Sequence, residues 1–195
     1  PPHSPSPACS PDPSSSLHSH RFVLCLVATW AVIMSALVAA SVWGSDGHLI
    51  YSLDDPYIHL SVAETILSGG YGVNQGDYAA PSSSILYPLL LVVTTVLGLG
   101  EAGPLVVNVL AMLLAVLVVG RLLTGHVLTD ELLEGAPSPL RTRLAVGLAC
   151  CVVMNAWGLV MTGMEHSLHV LLSVTVLWRL ALGDDLRRRG GGGFD

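Results

Sequence analysis

Apolar residues in this chain come in long unbroken runs, not in the short alternations of a soluble fold. Phe22 to Gly44 is a stretch of 23 residues without a charge. A helix rising 1.5 Å per residue needs about 20 to cross the hydrocarbon core of a bilayer. A cleaved signal peptide would carry a shorter apolar region, about 7–15 residues, nearer the start. The same reading predicts crossings at about 22–44, 102–122, 143–161 and 166–182. The last is short and contains Arg179, which can snorkel to an interface. A fifth run, Ile85 to Leu99, has 15 residues and holds Pro88. That length suits an interfacial or re-entrant helix, about 85–98, better than a crossing.

The arginines decide whether the fifth run crosses. Basic residues in short loops prefer the cytoplasmic side. With Arg21 inside and four crossings, Arg121, Arg141, Arg143 and Arg187 to Arg189 all fall inside. The outer segments then hold only acids: Asp46, Asp54, Asp55, Glu64, Asp77, Glu101 and Glu165. Five crossings would put Arg121, Arg141 and Arg143 outside. The expected architecture is therefore all-α: a polytopic transmembrane helix bundle, multi-pass, with a cytoplasmic N-terminus in the cell (inner) membrane. Its first external loop, roughly 60 residues from Gly44 to Gly103, carries two membrane-surface helices.

The first surface helix is expected at about 56–68. Ile58, Val62 and Ile66, with neighbouring Leu67, share one face at i, i+4, i+8. Pro56 suits a first helical turn, Asp55 can cap it, and Gly69-Gly70 stops it. A loop with Gly72, Gly76 and Pro81 follows. The turn Thr162-Gly163-Met164-Glu165-His166 joins the third and fourth crossings. It places Glu165 on the same side as Asp54-Asp55.

Composition agrees with lipid as the main solvent. Hydrophobic residues make up 52% of the chain and charged residues 11%, against about 25% charged in soluble domains. The net charge of −6 leaves no basic stripe for phosphates, so no nucleic-acid partner is expected. Cys9, Cys25, Cys150 and Cys151 show no zinc or redox spacing and read as small hydrophobes. Residues 1–20, rich in Pro, Ser and His, read as a disordered cytoplasmic tail. Residues 21–186 read as one membrane module, and 187–195 as an Arg/Gly-rich loop or end. A start without Met and a terminal glycine run suggest an N-terminal fragment, whose natural partners would include missing C-terminal helices of the same protein.

Two adjacent carboxylates beside a bilayer are costly unless they are solvated, paired or metal-bound. Asp54 and Asp55 therefore read either as a helix cap at the wet interface or as reactive groups. As reactive groups they would act as a general base, or hold a divalent metal cation with Glu165. Glu165 and His169, four apart, read either as part of such a site or as a polar contact between helices. His59, four residues after Asp55, could orient a carboxylate, contact a ligand or simply face water. Ser82, Ser83 and Ser84 could cradle a phosphate at a helix N-terminus or cap that helix. Tyr57, Tyr71, Tyr78 and Tyr87, with Trp43, suit the headgroup zone, or could stack on a sugar. His166 is a further candidate substrate contact beside Glu165.

Several of these stretches together resemble the external loops of GT-C-fold membrane glycosyltransferases of the bacterial type. The first loop supplies Asp54-Asp55-Pro56-Tyr57-Ile58-His59-Leu60, Ala63-Glu64, Gly69-Gly70-Tyr71-Gly72-Val73-Asn74 and Pro81-Ser82-Ser83-Ser84-Ile85-Leu86. The second supplies Thr162-Gly163-Met164-Glu165. The resemblance implies an enzyme taking a sugar from a polyprenyl-phosphate carrier to a lipid, glycan or protein acceptor on the outer face of the membrane. It assigns Asp54 or Asp55 as catalytic base or metal-associated group, with Glu165 assisting. Tyr57, His59, Ser82, Ser83 and His166 then become candidate substrate contacts, and membrane lipid and the polyprenyl-phosphate-linked sugar the expected partners. The sequence departs from the family in showing four crossings where eight or more are usual. It has Ser61 and Val62 where an arginine often stands. The rival classes are a transporter subunit, which would place acids along a mid-membrane path, and a membrane scaffold whose outer loop binds a partner.

Overall fold

A computed structural model describes residues 13–190 apart from 75, 77, 78, 80, 128–132 and 134–137, with backbone only at 13–17, 126 and 184–190. The expectations placed on Asp77 and Tyr78 lie outside the described residues. Among those described, the chain is all-α. Seven helices follow in order: α1 (Pro13–Gly44), α2 (Asp55–Leu67), α3 (Leu86–Val96), α4 (Gly103–Leu122), α5 (Pro139–Val153), α6 (Gly158–Met161) and α7 (His166–Gly190). A 3₁₀ turn at Gly100–Ala102 precedes α4, and a π turn at Leu123–Val127 follows it.

Four stretches are long and apolar enough to cross a membrane: His18–Gly44, Gly100–Gly125, Pro139–Met161 and His166–Gly183. Their outward faces stay apolar. Leu24, Val32, Val152, Val153, Leu172 and Leu180 are exposed, as side chains are where lipid is the solvent. The chain is a membrane protein built as a helical bundle. α3 has 11 residues, about 16 Å at 1.5 Å per residue, and falls short of a hydrocarbon core about 30 Å thick.

Three boundaries differ from the sequence reading. α1 starts at Pro13, so residues 13–20, expected to be tail, form its first turns; proline is tolerated there because the first N–H groups have no helical partner. Residues 1–12 lie outside the described ones. α7 likewise continues to Gly190, through residues expected to be a loop. The third crossing is broken between Val153 and Gly158, with Asn155 at φ +49°. At Gly158 a Cβ would meet the Asn155 side chain, which lies over this glycine. Freed backbone groups in lipid must find partners within the protein. Here the Trp30 indole donates to the Ala156 carbonyl at 3.3 Å, and the Trp157 indole ties the break back to α1 by donating to the Trp30 carbonyl at 3.2 Å.

α4 is the central element and packs on α1, α3, α5, α6 and α7. The main core runs through Phe22, Leu26, Trp30 and Met34 of α1, Met112, Ala115, Val116 and Val119 of α4, and Cys151, Ala156, Val160 and Val174 beyond. A smaller cluster, Leu60, Ala63, Tyr87 and Leu91, binds α2 to α3, with Val107 and Leu168 packed against it. Both surface helices therefore rest on the ends of α4 and α7. Gly103 has no room for a Cβ beside Thr94, which brings α3 close to the start of α4.

Candidate functional site

The end of α1, the starts of α4 and α7, and the turn after α6 meet at one end of the bundle, and α2 and α3 cover it. Gly163 is the pivot. It adopts φ +72°, and a Cβ there would lie 2.6 Å from Tyr51 and 2.7 Å from Pro56. Only glycine fits this combination of positive φ and close approach. The head of α2 is thereby pressed onto the turn at 162–166.

Two buried tyrosines secure that contact. The Tyr87 hydroxyl donates to the Gly163 carbonyl at 2.7 Å and accepts from Asn108 Nδ2 at 2.8 Å. The Tyr51 hydroxyl donates to the Glu101 carbonyl at 2.6 Å and accepts from the Leu105 N–H at 2.9 Å. Burial pushes both phenols above their usual pKa, because a phenolate would lose its hydration. Both therefore keep the proton that each donates.

Beside this anchor lies a buried polar cluster. Glu165 is 5% exposed and His59 1%. The Ser83 hydroxyl donates to Glu165 Oε1 at 3.1 Å, and His59 Nε2 stands 3.5 Å from Glu165 Oε2. At that separation neither Nε2 nor Oε2 has a hydrogen-bond partner. Ser82 Oγ lies 2.9 Å from His59 Nδ1 and also donates to the Ser84 carbonyl at 2.5 Å. The His59 ring stands edge-on to Tyr87, centroids 5.1 Å apart. Burial lowers the His59 pKa, against the opposing pull of Glu165 and then Asp55. Ser82 has one hydroxyl proton: while it serves the Ser84 carbonyl, His59 Nδ1–H donates to Ser82 Oγ, and when it turns to Nδ1, the ring proton sits on Nε2 and faces Glu165.

The expected residues divide around this cluster. Glu165, His59, Ser82 and Ser83 come together. Asp55, in the first turn of α2, is half-buried and close enough to His59 to act on it. Asp54 is exposed. The capping expected of Asp55 is not seen. Asp54 holds the cap position instead, with φ −85° and ψ −23°, and its side chain makes no cap hydrogen bond. Caps normally adopt extended backbone, which aims the side chain at the first N–H groups. Both carboxylates are thus left outside the backbone hydrogen bonding of α2.

Ser84 does the work of a cap, its hydroxyl accepting from the Tyr87 N–H at 3.3 Å. The Tyr57 hydroxyl accepts from the Tyr51 N–H at 3.2 Å, and so serves the anchor. The expected shared face of Glu165 and His169 does not form, because Glu165 precedes α7 and turns towards α2 and α3. His169 is exposed and stacks on His166 at 6.2 Å instead, which leaves His166 outside the cluster. Among the described residues, no three His, Cys, Asp or Glu side chains converge so as to hold a metal ion.

Sequence reasoning missed Tyr51 and Asn108. Asn108 had a signal: it is the one amide within the apolar span 103–122, where a polar side chain needs an internal partner. Tyr51 had none, because its importance comes from Gly163, distant in sequence. No family model, curated protein or solved structure matches this chain.

Proposed function

We propose that this chain carries the donor-side end of a GT-C-type membrane glycosyltransferase, which moves a sugar from a polyprenyl-phosphate carrier to an acceptor hydroxyl on the outer face of the membrane. One observation carries the reading. The two segments that bear the resemblance, 54–60 and 162–165, are far apart in sequence yet pack into one constellation through Gly163, His59 and Glu165. The sorting of arginines to the opposite end supports an outer, acidic site with a cytoplasmic N-terminus.

In this reading Asp54 or Asp55 takes the proton from the acceptor hydroxyl. The acceptor oxygen forms a bond to the anomeric carbon, the bond from that carbon to the carrier phosphate breaks, and polyprenyl phosphate leaves with the electron pair. Asp55 is better placed to be steered by the protein, since it shares a helix face with His59. His59 and Glu165 position that face and do not touch the acceptor. A divalent cation on Asp55 would take its other ligands from the carrier phosphate and water, and would polarise that phosphate.

Asp55→Asn in the complete protein in membranes is expected to reduce sugar transfer by about 10²-fold or more, the range of a lost general base. Asp54→Asn tests the alternative base. Transfer from radiolabelled polyprenyl-phosphate sugar measures both, with membrane insertion as the control. Full activity in both variants contradicts the proposal.

A further inference from the structure

At the opposite end of the bundle, α1 and α4 separate around a cavity of about 280 Å³ lined by Ser19, His20, Val23, Arg121 and Thr124. A water molecule takes about 30 Å³, so the space admits a phosphate with part of its ester. Gly120 keeps the two helices close just beside it, its Cβ position 3.3 Å from Val23. The lining is chemically one-sided. Arg121 brings a fixed positive charge and a fork of donors. His20 adds a ring N–H and Ser19 a hydroxyl. The Thr124 hydroxyl already donates to the Gly120 carbonyl at 3.1 Å. Among the described lining residues none is acidic. Val23 is apolar and leads into the lipid-facing stretch of α1.

We propose that this cavity binds the phosphate of an anionic phospholipid, with the acyl chains lying along α1 and α4. Three features select this occupant. The cavity sits where membrane-crossing helices end, at headgroup depth. Its donors match an acceptor-only group, and the arginine is attracted to an anionic leaflet. The site lies at the far end of the bundle from His59 and Glu165, and does not depend on the proposed glycosyl transfer.

The test is native mass spectrometry of the whole chain in detergent, titrated with phosphatidylglycerol, phosphatidylcholine or inorganic phosphate. Phosphatidylglycerol is expected to bind about fivefold more tightly than phosphatidylcholine, the factor for one arginine near an anionic surface. Arg121→Gln should bring the two lipids to parity, while Arg141→Gln, at the same end but outside the cavity, should keep the preference. Should Arg121→Gln fail to fold, the double variant Ser19→Ala with His20→Ala keeps the arginine and should still weaken phosphatidylglycerol about threefold, as expected for lost donors. Inorganic phosphate at equal concentration should leave lipid binding unchanged. Three results would overturn the proposal. They are equal binding of both lipids by the unaltered protein, equal loss in Arg121→Gln and Arg141→Gln, or displacement of the lipid by inorganic phosphate.

Discussion

The His59–Glu165 cluster and the cavity between α1 and α4, at opposite ends of the bundle, handle polar groups in opposite ways. At the loop-bearing end, His59, Glu165, Asn108 and the hydroxyl-bearing Tyr51 and Tyr87 are buried, and most of their polar atoms bond to one another, to Ser82 and Ser83, or to the backbone. At the arginine-bearing end Arg143 is buried as well, but Arg121 and His20 are exposed and line an open cavity. The first arrangement fixes geometry, since each buried polar atom needs its partner and loses stability without one. The second leaves charge available to something outside the protein. Substitutions of the same chemical kind should therefore have unequal effects at the two ends.

The largest contrast is expected between two glycines. Gly163→Ala forces a positive φ on alanine and drives its Cβ into Tyr51 and Pro56, a combined cost of about 4 kcal/mol. Gly125→Ala, at the other end, meets nothing within 4 Å and should change stability by under about 0.5 kcal/mol. Denaturant unfolding in detergent reads both. Similar losses would remove the distinction between the ends.

Charge removal comes next. Glu165→Ala removes the acceptor of the Ser83 hydroxyl and leaves His59 Nε2 facing a void, at a cost of about 2 kcal/mol. Arg121→Ala removes a solvated charge and should cost under about 1 kcal/mol. The same unfolding measurement decides it.

These contrasts also mark what the sequence could and could not reveal. The bundle was legible because lipid imposes one rule, long apolar runs, and Phe22–Gly44 or Gly103–Leu122 satisfy it without tertiary context. That α3 is too short to cross was legible in the length of its apolar run. Glu165 and His59 were legible as candidates because ionisable groups near a bilayer demand a reason. Their pairing was not, since the i, i+4 spacing put Glu165 with His169 on one helix face. Glu165 faces His59 because α7 begins one residue later, and element boundaries are the feature read least reliably from sequence. The failure of Asp55 as a cap has the same origin: a one-residue shift moved the cap position to Asp54. The Asn155 break was hidden because its neighbours are as apolar as any helix.

A smaller effect follows from pH. Burial holds His59 below its ordinary pKa of 6.5, so the folded protein takes up that proton less readily than the unfolded chain. Stability is therefore fully present above about pH 6.5 and declines as pH falls towards the lowered value. Thermal unfolding from about pH 7.5 to about pH 5 should show this decline, and His59→Gln should flatten it. An unchanged slope in that variant would assign the proton uptake elsewhere.

The central claim is that the loop between α1 and α4 and the turn before α7 are joined through His59 and Glu165. A double-mutant cycle of His59→Ala and Glu165→Ala, read by unfolding free energy in detergent, tests it most directly. The pair should show a coupling of about 1–3 kcal/mol, as groups sharing one buried network do. Additive losses, with a coupling within about 0.3 kcal/mol of zero, would mean that the two segments do not act on each other and would contradict the account.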